Sequence, residues 1–235
     1  MIRVSLRRRI YIFFIASLFG AYFKLYHRIK FEGTENIPLQ GPLFIIINHV
    51  SYLEPFALGV GLIGRGLIPG AHIWTVAKKE LYARPWVGKF LDSIGMFPID
   101  REHTDMGAMR TMLTVLKEKK MIAMAPEGTR SPTGRLSEFQ PVVAKIAISR
   151  HIPILPAAAF GVEKAMPVGA KFPLPHQITL KFGPVFELSE FYNVTMTDEL
   201  SAQSATVMRA HVADLLPEWM REIPPPTQRV GAVKH

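Results

Sequence analysis

The sequence predicts an α/β fold, a mixed sheet flanked by helices, with an amino-terminal helical segment at a membrane interface. Three observations lead there. Short apolar runs of strand length alternate with stretches of helical spacing between residues 43 and 182. Hydrophobic residues make up 49% of the 235, enough for a packed core and too many for a disordered chain. An uncharged aromatic stretch near the amino terminus lies between clusters of Arg and Lys.

That stretch, Ile10 to Phe23 (IYIFFIASLFGAYF), is about 21 Å long as a helix, short of the ~30 Å hydrocarbon core of a bilayer. A helix lying in the interface fits it better than a spanning one, with Arg3, Arg7, Arg8, Arg9, Lys24, Arg28 and Lys30 at the headgroups. A secretory signal needs a small-x-small cleavage pair, and none follows the apolar run. Ser5 to Arg9 loosely matches a twin-arginine signal, again without a cleavage site. A buried core helix is the remaining alternative.

Leu43 to Asn48 follows a Gly41-Pro42 breaker and reads as a buried strand; Pro55 to Ile63 reads as a helix. Ile73 to Ala77 is a short strand, Pro85 to Ile94 a helix, and Met96 to Ile99 a strand leading into Asp100-Arg101. Met106, Met109, Leu113 and Leu116 place a helix over Thr104 to Lys119. Met121 to Ala125 is a buried strand stopped by Pro126. Pro141 to Arg150 is a helix, Ile152 to Phe160 and Ile178 to Phe182 are strands, and Asp198 to Met220 is a closing amphipathic helix. The expected division is a membrane segment at 1–30, one catalytic domain at 31–222 and a Pro-rich disordered tail at 223–235.

Composition excludes several chemistries. With no cysteine there is no disulfide, thiolate nucleophile or Cys-based zinc site. No two of the eight His lie three or four apart, so no helical metal clamp is visible and neither a metal nor a bound cofactor is expected. The net charge of +9 calls for an anionic partner. Because the amino-terminal cations flank an apolar run, that partner is expected to be a lipid surface and not nucleic acid.

Two blocks carry chemistry. Asn48-His49-Val50-Ser51-Tyr52-Leu53-Glu54-Pro55 sits where a buried strand gives way to a helix, the place where α/β sheets bind ligands. A bend before Pro55 lets the Glu54 carboxylate reach the His49 imidazole, giving a general base with its orienter and a substrate hydroxyl in the place of a serine. Ser51-x-x-Glu54 is equally a capping box, the structural alternative. The second block, Pro126-Glu127-Gly128-Thr129-Arg130-Ser131, follows another buried strand. There Gly128 allows close backbone approach, Thr129 offers a donor, and Arg130 can grip a phosphate bidentately; a salt-bridged turn is the alternative. Gly95 to Arg101 puts charges at a strand's end, and Ile152 to Ala158, with Pro153 and Pro156, shapes a wall.

Together these four blocks resemble those of the glycerolipid acyltransferases, specifically the lysophosphatidic acid acyltransferases (1-acyl-sn-glycerol-3-phosphate acyltransferases). That family carries Asn-His-x4-Asp, a Gly-x-x-Phe-Ile-Asp-Arg-like block, Pro-Glu-Gly-Thr-Arg-Ser and a Val-Pro-Ile-Val-Pro-like block, in the order found between residues 30 and 185 here. The resemblance implies base chemistry at His49 and the following acid, Glu54. It implies acceptor phosphate binding at Arg101 and at Glu127, Gly128, Thr129 and Arg130, with Lys78 added to that site. It further implies transfer of an acyl group from acyl-CoA or acyl carrier protein, as co-substrate, to lysophosphatidic acid, giving phosphatidic acid. The enzyme would sit monotopically on the cytoplasmic face of the inner or plasma membrane. Glu54 replaces the family's usual Asp, and Phe139-Gln140-Pro141 stands where many members have Phe-Lys-x-Gly. The second departure keeps another lysolipid or a glycolipid open as acceptor. A non-catalytic membrane-binding relative is the remaining alternative. Oligomeric state has no signal in the sequence.

Overall fold

The structure, a computed structural model, describes residues 5–100 and 105–222. Seven strands form one sheet: β1 (Lys30–Glu32), β2 (Leu43–Ile47), β3 (Ile73–Lys78), β4 (Met96–Ile99), β5 (Met121–Met124), β6 (Ile154–Phe160) and β7 (Thr179–Phe182). Their order is β1-β7-β6-β2-β5-β3-β4. Neighbours are parallel except β6 and β7, which pair antiparallel, so the sheet is mixed as expected. All five residues of β2 and all four of β5 are buried, which explains their unbroken apolar runs.

Eight helices accompany the sheet among the described residues: α1 (Leu6–Leu25), α2 (Glu54–Gly64), α3 (Pro85–Ser93), α4 (Met106–Lys117), α5 (Pro141–Arg150), α6 (Val162–Ala165), α7 (Asp198–Ala213) and α8 (Glu218–Arg221). Their starts are written locally. Pro stands in the first turn of α2, α3 and α5, where its missing N–H would be unpaired anyway. Asp105 and Thr197 cap α4 and α7 by accepting from Ala108 N (2.8 Å) and Leu200 N (3.2 Å). α7 packs on α5 and β6, α4 on β5 and β4, and α1 on α2.

Three elements differ from the sequence expectation. The closing helix is two pieces, α7 and α8, because Pro217 supplies no amide and disfavours helix at the residue before it. β1 is an edge strand of three residues with mostly outward side chains, too short to carry a period. α1 runs six residues beyond the apolar stretch, taking in Arg7, Arg8 and Arg9 behind the Ser5 cap.

The expected boundary at residue 30 falls where the last turns of α1 already belong to the main core. Phe23 is fully buried in that core, and Phe19 stacks on Phe56 of α2 with ring centroids 5.1 Å apart. The opposite face of α1 leaves Leu6, Ile10, Phe13, Phe14 and Leu18 exposed. Among the described residues no helix is long and apolar enough to cross a membrane. The tail expected at 223–235 lies outside the described residues.

Candidate active site

Because β2, β5, β3 and β4 are adjacent and parallel, their carboxyl ends open on one edge of the sheet. Strand order in the sheet therefore sets the spatial order along that edge. His49 follows β2, the Glu127 to Arg130 turn follows β5, Lys78 ends β3, and Asp100 follows β4. With strands about 4.8 Å apart, Lys78 stands roughly 10 Å across the edge from His49.

The structure brings His49 and Glu54 together. His49 Nδ1 lies 2.7 Å from Glu54 Oε2, while Glu54 Oε1 accepts from Val50 N at 2.6 Å and Ser51 N at 2.8 Å. Glu54 is 1% exposed. Burial pushes its carboxyl above the ordinary value, and the His49 hydrogen bond and the two amides oppose that by favouring the charged form. With Nδ1 donating to the carboxylate, the lone pair of Nε2 faces outward, and Nε2 has no partner among the described residues. The capping alternative is half present: one carboxylate oxygen holds the backbone amides and the other holds the imidazole. Both arrangements therefore coexist.

Glu127 departs from the phosphate-binding expectation. Its side chain turns inward, with Oε1 accepting from His49 N at 2.5 Å and Oε2 from Ser137 N at 2.9 Å. Neither oxygen is left to meet a ligand. Ser131 N donates to His49 O at 2.8 Å, so the second block grips the His49 peptide from both sides. Glu127 thus positions the His49 backbone.

Burial raises the Glu127 carboxyl to about 7, the amides of Ser137 and His49 pulling it down and nearby Glu54 pushing it up. A carboxyl raised on folding is favoured in its neutral form. Its stability contribution is full below the ordinary value of 4.5 and is lost as pH rises to about 7. The shift amounts to about 3 kcal/mol. Urea unfolding should therefore show parent stability falling between pH 5 and 8 more than that of Glu127→Gln. Equal pH slopes would show that this carboxyl does not titrate in the window.

Arg130 is the cation of the turn after β5. It stacks on Tyr52, its guanidinium carbon 3.6 Å from the ring centroid, and its Nη2 donates to the Tyr52 hydroxyl at 3.0 Å. Since Tyr52 lies between His49 and Glu54 in sequence, this contact couples the cation to the His49–Glu54 turn. Gly128 has φ of +74°, and a Cβ there would meet only Gln140 Cγ at 3.5 Å. The glycine is therefore required by backbone conformation more than by lack of space. Thr129 is exposed on the same turn. Lys78 reaches the edge but pairs with Glu80 at 2.9 Å, so it is not gathered with Arg130 in this arrangement. Arg101 lies outside the described residues.

Sequence reasoning missed three supports. Asn48 exchanges two hydrogen bonds with Ala159 of β6, at 2.8 and 2.7 Å, fixing the exit of β2. Ser137 supplies the amide that holds Glu127. Arg209 of α7 donates to the carbonyls of Ser137 (3.1 Å) and Leu136 (2.9 Å), bracing that loop. An Asn directly before the His was the one available signal.

Beside the edge an apolar groove runs between α1, α2 and β3. Phe19, Pro55, Phe56, Val60 and Ile73 line it, and Pro55 follows Glu54 directly in the chain.

Comparison with known proteins agrees with this architecture. An acyltransferase family model matches residues 28–159. A 1-acyl-sn-glycerol-3-phosphate acyltransferase of Bacillus subtilis (strain 168) is 27% identical over 194 residues, covering 81% of this chain and 90% of that one. The chloroplastic enzyme of the same description from Arabidopsis thaliana is 28% identical over 174 residues, covering 72% of this chain. The match spans 46% of the plant protein. The crystal structure of a 1-acyl-sn-glycerophosphate acyltransferase from Thermotoga maritima superposes with a TM-score of 0.70 at 24% identity, covering 92% of this chain and 83% of that one. At that identity the likeness speaks for the fold.

Proposed function

The chain belongs to the acyltransferase family, and from that premise we propose that it moves a fatty acyl group from a thioester to the free hydroxyl of lysophosphatidic acid, giving phosphatidic acid. The observation that carries the mechanism is the His49–Glu54 pair, joined at 2.7 Å with the second ring nitrogen turned outward. His49 Nε2 takes the proton of the acceptor hydroxyl as that oxygen attacks the thioester carbonyl. The tetrahedral intermediate collapses, the C–S bond breaks, and the imidazolium returns the proton to the leaving thiolate. Glu54 holds the ring's tautomer and stabilises its charged form. Arg130, pre-oriented on Tyr52, meets the acceptor phosphate, with Lys78 of the same edge and Arg101, next after Asp100 in the sequence, as further cations.

The acceptor identity is supported by the Bacillus and plant relatives, each described as a 1-acyl-sn-glycerol-3-phosphate acyltransferase. The apolar groove beside Glu54 suits a hydrocarbon chain. The donor is acyl-CoA or acyl carrier protein. The exposed aromatic face of α1, with basic residues at its start, suits monotopic seating on the anionic cytoplasmic face of the inner or plasma membrane.

The test is labelled acyl transfer from acyl-CoA or acyl carrier protein to a panel of lysolipids with and without a headgroup on the phosphate. Lysophosphatidic acid should be the fastest acceptor. Arg130→Ala should raise its KM tenfold or more, since a charge-assisted pair is worth about 1.5–3 kcal/mol, and Arg130→Lys should recover only part. Equal use of headgroup-bearing lysolipids, or an unchanged KM, would remove Arg130 from the phosphate site.

A further inference from the structure

The segment from Met166 to Pro175 makes no strand or helix, yet it is tightly closed. Ala170 N donates to Pro167 O at 3.0 Å across a turn that needs positive φ at Gly169, and Leu174 N donates to Ala165 O at 2.6 Å. A loop so ordered would be expected to turn its large apolar side chains inward. Instead Phe172 is 79% exposed and Leu174 59%, with Val168 exposed beside them.

Two attachments place this loop. Tyr26, just past α1, donates its hydroxyl to Pro173 O at 3.1 Å, and the next residue, His27, bonds His176 O through Nδ1 at 3.2 Å. The loop and the end of α1, where Leu25 is 80% exposed, therefore form one rim. At the other end, Ser51 Oγ donates to Met166 O at 3.1 Å, two residues beyond the base. The rim thus borders the candidate site.

Its charge is of one sign. Residues 22–31 and 164–178 contain no Asp or Glu, while Lys24, Arg28, Lys30, Lys164 and Lys171 are all exposed. None of the five forms an ion pair among the described residues. Exposed apolar tips ringed by unpaired cations match an anionic bilayer surface, where tips enter the acyl region and cations meet headgroups.

We propose that the 167–174 loop is a second bilayer-inserting element, separate from the outer face of α1, which seats the mouth of the active site against anionic lipid. The proposal rests on the membrane-surface reading given above and adds the element that orients the site. Insertion of the loop beside the outer face of α1 would stop rotation about the helix axis and so fix which way His49 faces, something one helix lying flat does not do.

The absence of cysteine allows a clean test. Phe172→Cys, labelled with nitrobenzoxadiazole, is mixed with vesicles of phosphatidylglycerol and phosphatidylcholine, beside Gln203→Cys, labelled likewise, on α7. A blue shift and quenching by chain-attached nitroxide lipids are expected at 172 and not at 203. Phe172→Ser combined with Leu174→Ser should weaken partition to these vesicles roughly tenfold. Protein that co-sediments with vesicles while the 172 label keeps its aqueous spectrum overturns the proposal and leaves the bilayer reading standing. A blue shift that follows protein concentration without vesicles also overturns it, because a second copy of the chain then covers the rim. Protein that neither sediments with vesicles nor transfers acyl groups to detergent-dispersed lysophosphatidic acid defeats both readings.

Discussion

Replacing His49 with alanine should lower kcat by about 10³–10⁴ and leave a folded protein, since Glu54, the other proton acceptor of its block, is buried. The fold survives because the His49 peptide is held through its backbone, by Glu127 on one side and Ser131 on the other, and neither contact uses the imidazole. The Glu54 carboxylate loses one partner and keeps the amides of Val50 and Ser51, so stability should drop by no more than about 1–2 kcal/mol. Turnover and denaturant midpoint measured together separate the two effects. Added imidazole, small enough for the vacated space, should restore part of the rate. An alanine variant that keeps a tenth or more of parent turnover overturns the base assignment.

Glu54→Gln should lower kcat by roughly 10²–10⁴. The amide oxygen can still accept from Val50 and Ser51, so the capping half of the contact persists. The amide nitrogen then faces His49 Nδ1 as a donor, which moves the ring proton to Nε2 and removes the outward lone pair. The charge that stabilises the imidazolium goes with it. Glu54→Asp keeps the charge but is one methylene short of three donors positioned for Glu, so partial activity well above that of Gln is expected. A purely structural carboxylate gives the opposite pattern, with Gln tolerated and any loss read as stability. Parent-level turnover in Glu54→Gln would therefore disprove the pairing.

The sheet was legible because its central strands are buried on both faces and written as unbroken apolar runs, such as Leu43–Ile47 and Met121–Met124. The contact of His49 with Glu54 was legible because five residues and one bend contain the whole of it. The partners of Glu127 were hidden because the amides of His49 and Ser137 are backbone groups, which leave no mark on a sequence. The inward turn of Glu127 follows from β5 and β2 being neighbours, a fact of strand order and not of spacing. The stacking of Tyr52 on Arg130 was hidden for the same reason, the two being 78 positions apart. Pro217 was visible, yet apolar residues on either side masked the break it makes in the last helix.

The grip on the His49 peptide bears on how such a chain can vary. The His49 backbone is located by a strand end and a distant turn acting as a vice, and the 66 positions from Pro55 to Lys120 lie outside its jaws. Insertions in that interval, at the Gly64–Gly70 bend for instance, lengthen surface connections without moving the base. A single residue added between Ala125 and Ser131 would slide one jaw past the other. Descendants of such a protein are free to grow between the two motifs and bound to keep each motif at fixed length.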